Sequence, residues 1–105
     1  MADRRLQVFH TVARLLSFTK AADALHMTQP AVTFQIRQFE EYFDTRLFDR
    51  THNRISLTDA GQRVYEFADR IFRLYGEMEN AVRKITGEVS GVLLIGASTT
   101  IAEYM

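Results

Sequence analysis

The chain predicts a mainly α fold: a winged helix-turn-helix followed by a long dimerisation (linker) helix. Three observations carry that expectation. Residues 28–43 hold a helix-period apolar stripe behind a capped, proline-started first turn; residues 46–57 hold two short strand-like runs around an Asn-containing turn; and a heptad pattern runs unbroken from Val64 to Ile85. The implied organisation is a winged helix-turn-helix over residues 1–58, a linker helix over 59–87 and the truncated first strand of a further domain over 88–105.

The first helix carries Leu6, Phe9, Ala13 and Leu16 as an apolar stripe, with His10 expected on its surface. The second begins at Thr19, whose hydroxyl can cap it, and its Ala21, Ala22 and Leu25 are small enough to let another helix approach closely. His26 and Met27 form the turn. Thr28 then caps the third helix, with Gln29 and Pro30 in its first turn, where a missing N–H costs little. Val32, Ile36, Phe39 and Phe43 recur at i, i+4, i+7 and i+11 and form its core stripe. Pro30, Phe34, Arg37, Gln38 and Glu41 fall opposite, with Thr33 on the flank. A short helix, a tight turn and a second helix with a polar start match the helix-turn-helix, whose second helix enters the DNA major groove. An ordinary helical hairpin in a bundle shares that spacing.

The free face favours the first reading. Gln29 and Thr33 can hydrogen-bond base edges, Gln to adenine in particular, and an outward Phe34 beside Ala31 offers apolar contact to a thymine methyl. Arg37 and Gln38 lie where a helix leaving the groove meets phosphate. Arg46–Arg50 and Arg54–Leu57 read as two strands around Thr51, His52 and Asn53, Asn tolerating the positive φ of a turn. Such a wing can lay Arg50 or Arg54 on the backbone or in a narrow minor groove, with His52 and Asn53 at its tip. The alternative for either Arg is a surface ion pair with Asp44 or Asp49.

Thr58 and Asp59 start the long helix, a hydroxyl cap followed by an acid at the positive end of the macrodipole. Along it Val64, Ala68, Ile71, Tyr75, Met78, Val82 and Ile85 repeat in alternating steps of 4 and 3, a seam that closes at Gly87. Its first turns can pack on the first helix. A rod of about 40 Å then outreaches so small a domain, and its second half calls for a partner copy. After Gly87, the run Gly91–Gly96 suits a buried strand, with Ser98, Thr99 and Thr100 opening a following helix. A lone strand cannot satisfy its own backbone, so residues 88–105 are expected to be disordered, swapped or docked on a neighbour.

Taken together these segments resemble the N-terminal region of the LysR-type transcriptional regulators of bacteria. The pattern A-A-x-x-L-x-x-S/T-Q-P-A-V-S/T-x-Q-I, then L-F-x-R, then L-T-x-A-G, is matched by Ala21, Ala22, Leu25, Thr28 to Thr33, Gln35, Ile36, Leu47, Phe48, Arg50, Leu57, Thr58, Ala60 and Gly61. The resemblance implies a winged helix-turn-helix that binds double-stranded promoter DNA as a homodimer, with a tetramer open to the full-length protein. It puts Gln29, Pro30, Thr33 and Phe34 at the bases and the wing at the minor groove. Phe34 departs from the pattern, since many members carry a polar or basic side chain there, and favours a thymine contact. Glu40 and Glu41 match the family's segment at the end of this helix, Phe39 standing where Leu is usual. The last residues resemble the opening strand of the effector-binding domain. The chain therefore reads as a fragment of a protein roughly three times its length, in which Ser98–Thr100 would face a small-molecule effector.

Composition bounds the alternatives. The 105 residues are 47% hydrophobic and 25% charged, enough for one small domain. No cysteine is present, which suits a reducing cytoplasm and excludes thiolate metal sites. No apolar run approaches the roughly 18 residues of a membrane span, and Met1–Arg5 leads into an amphipathic helix and not a signal sequence. Thirteen basic residues balance thirteen acidic ones. Residues 1–58 carry eight against six and residues 59–105 five against seven, so the basic excess lies with the proposed reader. It is small, and affinity is expected to depend on dimerisation. His10, His26 and His52 lack the i, i+4 spacing of a helical metal site, and no Gly-rich phosphate loop or nucleophile elbow is present. No enzyme activity, metal or cofactor is expected.

Overall fold

Hydroxyl caps, left-handed stops and one hairpin divide the chain into its elements. The computed structural model describes residues 4–87. In order these are α1 (Arg4–Leu15), α2 (Phe18–Leu25), α3 (Gln29–Phe43), β1 (Phe48–Thr51), β2 (Arg54–Leu57) and α4 (Asp59–Thr86). The chain divides into two compact units between Phe72 and Arg73. The strand and helix cap expected over residues 91–100 lie outside the described residues.

Each boundary has a local cause. Leu16, at φ 50°, turns the chain out of α1. Ser17, not the expected Thr19, caps α2, its Oγ accepting from the Lys20 N–H at 3.0 Å, so the cap lies two residues earlier than expected. His26 ends α2 in the left-handed region, its N–H returning to the carbonyls of Ala22 and Asp23. Thr28 caps α3 as expected, its Oγ1 accepting from the Ala31 N–H at 3.2 Å. Asp44 closes that helix at φ 56°. Gly87, at φ 75°, follows the last residue of α4.

The first unit is built on Val8, Phe9 and Val12 of α1, Phe18, Ala21 and Ala22 of α2, Val32, Ile36 and Phe39 of α3, and Leu47 and Phe48. Phe9 sits at the centre, 5.7 Å from the ring of Phe39 and 5.3 Å from that of Phe48. The buried face of α1 is wider than the expected stripe because helices and wing cover it from several sides. Val8, Thr11 and Val12 are buried, whereas Leu16 lies beyond the helix and is 48% exposed. Phe43 is likewise off the core, 42% exposed at the last residue of α3 with its ring against that of Phe39.

The hairpin pairs Phe48 with Leu57 and Thr51 with Arg54, so β1 begins two residues later than expected. Its turn places both His52 and Asn53 at positive φ, the twist that suits a two-residue hairpin loop. Thr58 then locks wing to helix. Its N–H donates to the Leu47 carbonyl at 3.0 Å, its hydroxyl donates to the Arg46 carbonyl at 2.7 Å, and the same oxygen accepts from the Gly61 N–H at 3.0 Å. A Cβ on Gly61 would meet the Leu47 carbonyl oxygen at 2.1 Å, so only glycine allows this closure.

The first turns of α4 complete the core. Ala60, Val64 and Tyr65 pack against it, and Ala68 is fully buried. His10, expected on the surface, is half-buried: its Nε2 donates to Asp69 Oδ1 at 2.6 Å, and its ring stacks on Tyr65 and meets the edge of Phe72. A contact across 59 residues has no signature in the periodicity of α1.

Candidate nucleic-acid interface

The outward face of α3 follows from the inward one. Because Val32, Ile36 and Phe39 are buried, a helix of 3.6 residues per turn must turn Gln29, Pro30, Phe34, Arg37 and Gln38 outward, and all five are exposed. Ala31 and Thr33 lie half-buried on the flank, and the cap Thr28 is exposed. Phe34 is 57% exposed, an unusual place for a large ring on a face otherwise polar. An open groove runs along Gln29, Pro30, Thr33, Phe34 and Arg37.

Gln29 is held from behind. Thr19 Oγ1 donates to its Oε1 at 3.3 Å, which leaves a lone pair and both amide hydrogens for an outside partner. Thr19 thus serves the third helix instead of capping the second.

The wing is tied to the same helix by Glu40. Its Oε2 accepts from the N–H groups of Leu47 at 2.9 Å and Phe48 at 3.3 Å, and the Arg46 guanidinium lies 3.9 Å away. One carboxylate therefore satisfies the two amides that lead into β1 and fixes the wing against the end of α3. The matched acidic pair signalled that position, but its partners only become visible once the chain folds back.

Arg50 and Arg54 flank the hairpin turn, and both are exposed, as are His52 and Asn53. Among the described residues neither arginine pairs with Asp44 or Asp49. Arg50 instead places its guanidinium carbon 4.2 Å above the ring centre of Phe18. Together α3 and the hairpin present polar, cationic and one aromatic side chain on adjoining surfaces, a set able to hydrogen-bond base edges and meet phosphate.

The seam residues of α4 divide. Val64 and Ala68 face their own domain, so Ala68 is not available to a partner as the heptad pattern suggested. Tyr75 is half-buried, while Ile71, Met78, Val82 and Ile85 are 38%, 53%, 53% and 86% exposed, joined by Phe67 and Leu74. Among the described residues no three His, Cys, Asp or Glu side chains converge on a metal-sized site, and no helix is long and apolar enough to cross a membrane.

Residues 4–62 match the family described as "Bacterial regulatory helix-turn-helix protein, lysR family". Over 101 residues, 96% of this chain, the sequence is 40% identical to a probable RuBisCO transcriptional regulator of Cyanidioschyzon merolae, covering 33% of that protein. It is 39% identical to the RuBisCO operon transcriptional regulator of Allochromatium vinosum over 93% of this chain and 32% of the relative. The chain thus spans about a third of the length of these curated relatives. The fold is similar to the BenM DNA-binding domain solved with catB site 1 DNA, at a TM-score of 0.76 and 31% identity, covering 82% of this chain and 96% of that one. It is similar also to the CbnR DNA-binding domain solved with DNA, at a TM-score of 0.73 and 35% identity over 82% and 99% of the two chains.

Proposed function

Because the chain belongs to the LysR family of bacterial regulatory helix-turn-helix proteins, we propose that it is the part of a transcription regulator that reads double-stranded promoter DNA. The observation that carries this reading is the two-sidedness of α3: a buried apolar stripe behind, and in front an exposed Gln29, Phe34, Arg37 and Gln38 beside an arginine-bearing wing. The similar BenM and CbnR domains were solved on DNA, which supports the same use here.

In the proposed complex α3 enters the major groove by its N-terminal end. Gln29, oriented by Thr19, offers its amide to an adenine edge, Thr33 adds a hydroxyl, and Phe34 with Ala31 meets a thymine methyl. Pro30 lets the backbone approach without an unpaired N–H. Arg37 and Gln38 meet phosphates beyond the bases, while the wing, with Arg50, His52, Asn53 and Arg54, follows the strand to the adjoining minor groove. The protein acts by occupying a site and not by catalysis, which fits a cytoplasmic regulator.

Two copies are needed. The apolar residues from Ile71 to Ile85 support a homodimer through α4, and a dimer reads two half-sites of an interrupted palindrome. In the parent protein, residues beyond 87 lead to the effector-binding domain, which takes a small molecule and allows assembly to a tetramer.

Selection of bound duplexes from a random pool at fixed salt tests the reading. The expected product is an interrupted palindrome that the Gln29→Ala, Thr33→Ala double variant no longer distinguishes from other DNA. Unchanged binding by that variant would overturn the assignment of α3 as the reader.

A further inference from the structure

The two wing arginines are not equivalent. Arg54 is exposed beside the turn, whereas Arg50 rests its guanidinium on Phe18, 4.2 Å from the ring centre. Phe18 is itself packed into the core: 5% exposed, its ring edge-on to Phe48 at 5.9 Å and Ser17 capping the helix it begins. Phe18 and Arg50 together form a ridge shared by two clefts. One holds Thr19, Gln29 and Arg54. The other holds Thr33, Arg37 and Arg46, with Glu40 already engaged by the Leu47 and Phe48 amides.

We infer that Phe18 is a positioning residue for DNA binding: it presets Arg50 as a phosphate clamp on the α3 side of the wing and leaves Arg54 to the minor groove. An arginine otherwise loses much side-chain freedom when it takes up a phosphate. Stacked on a fixed ring, Arg50 has already lost it, and the stack leaves the in-plane N–H groups free for phosphate oxygens. Arg46 offsets the Glu40 carboxylate, so with Arg37 the cleft keeps a positive balance, and the Thr33 hydroxyl supplies a further donor. The inference rests on the DNA reading above and adds a role for a residue that does not face DNA.

The test compares Arg50→Ala, Phe18→Met and the double variant, each titrated with the selected duplex at several salt concentrations. Arg50→Ala is expected to weaken binding about fivefold and to make the salt dependence shallower by about one counterion. Phe18→Met should reproduce most of both effects, and the double variant should bind no worse than Arg50→Ala alone. Purely structural damage at Phe18 would lower the melting temperature and leave the salt slope at the wild-type value, which overturns the inference. Wild-type binding by Arg50→Ala would overturn it too, by removing Arg50 from the interface, while leaving the reader helix untouched. Proton NMR of the free wild-type chain decides independently of any variant: the Arg50 δ-methylene resonances should be shifted upfield by the Phe18 ring current, and ordinary positions would refute the preset stack.

Discussion

The two parts of α4 carry similar side chains and meet different fates. Up to Phe72 most of its apolar residues have partners among the described residues, Phe67 and Ile71 excepted: Val64 and Tyr65 pack on the core, Ala68 is sealed, and Tyr65, Asp69 and Phe72 enclose His10. From Arg73 on, Leu74, Met78, Val82 and Ile85 are exposed by half or more. A heptad seam records apolarity, not what covers it. The first stretch is answered by α1, whereas no other described residues cover the second.

Charges in the second stretch should therefore cost assembly, and charges in the first should cost folding. Met78→Asp with Val82→Asp is expected to produce folded monomers with DNA affinity reduced by about two orders of magnitude, since one half-site contributes too few phosphate contacts alone. Sedimentation showing an unchanged dimer would break the comparison.

Two glycines on the same helix sharpen it. Gly61→Ala drives a methyl into the Leu47 carbonyl and should destabilise by about 1–3 kcal/mol in urea melts, separating wing from helix. Gly76 has nothing within 4 Å of a Cβ, so Gly76→Ala should gain about 0.8–1 kcal/mol of helix stability. A loss at Gly76 that grows with protein concentration would show the partner copy pressing against that position.

Phe34→Arg should have the smallest effect on stability, within about 0.5 kcal/mol, because the ring is exposed. Its consequence should be a changed base preference at one position of the selected site. A large fall in melting temperature with the same preference would mean that the ring supports the fold.

These contrasts show what a linear reading can reach. Periodicity suffices where a helix buries one stripe, as in α3, and capping chemistry suffices where the donor lies within one turn, as at Thr28 and Thr58. The outward set from Gln29 to Gln38 followed directly from those two. Contacts between distant segments left no such mark. The His10 bond to Asp69, the Glu40 carboxylate beneath the Leu47 and Phe48 amides and the Arg50 stack on Phe18 each depend on a tertiary approach. Leu16 and Phe43 fit their stripes by angle, yet both stand at helix ends where no described element reaches to cover them.

The most direct test of the reader surface is an amide and side-chain NMR titration of the chain with its selected duplex. The expected perturbations centre on Gln29, Thr33, Phe34, Arg37 and Gln38, with a second set at Arg50 to Arg54, while Val8, Phe9 and Val12 stay in place. Perturbations concentrated on α1, with the side chains of α3 unmoved, would contradict the account.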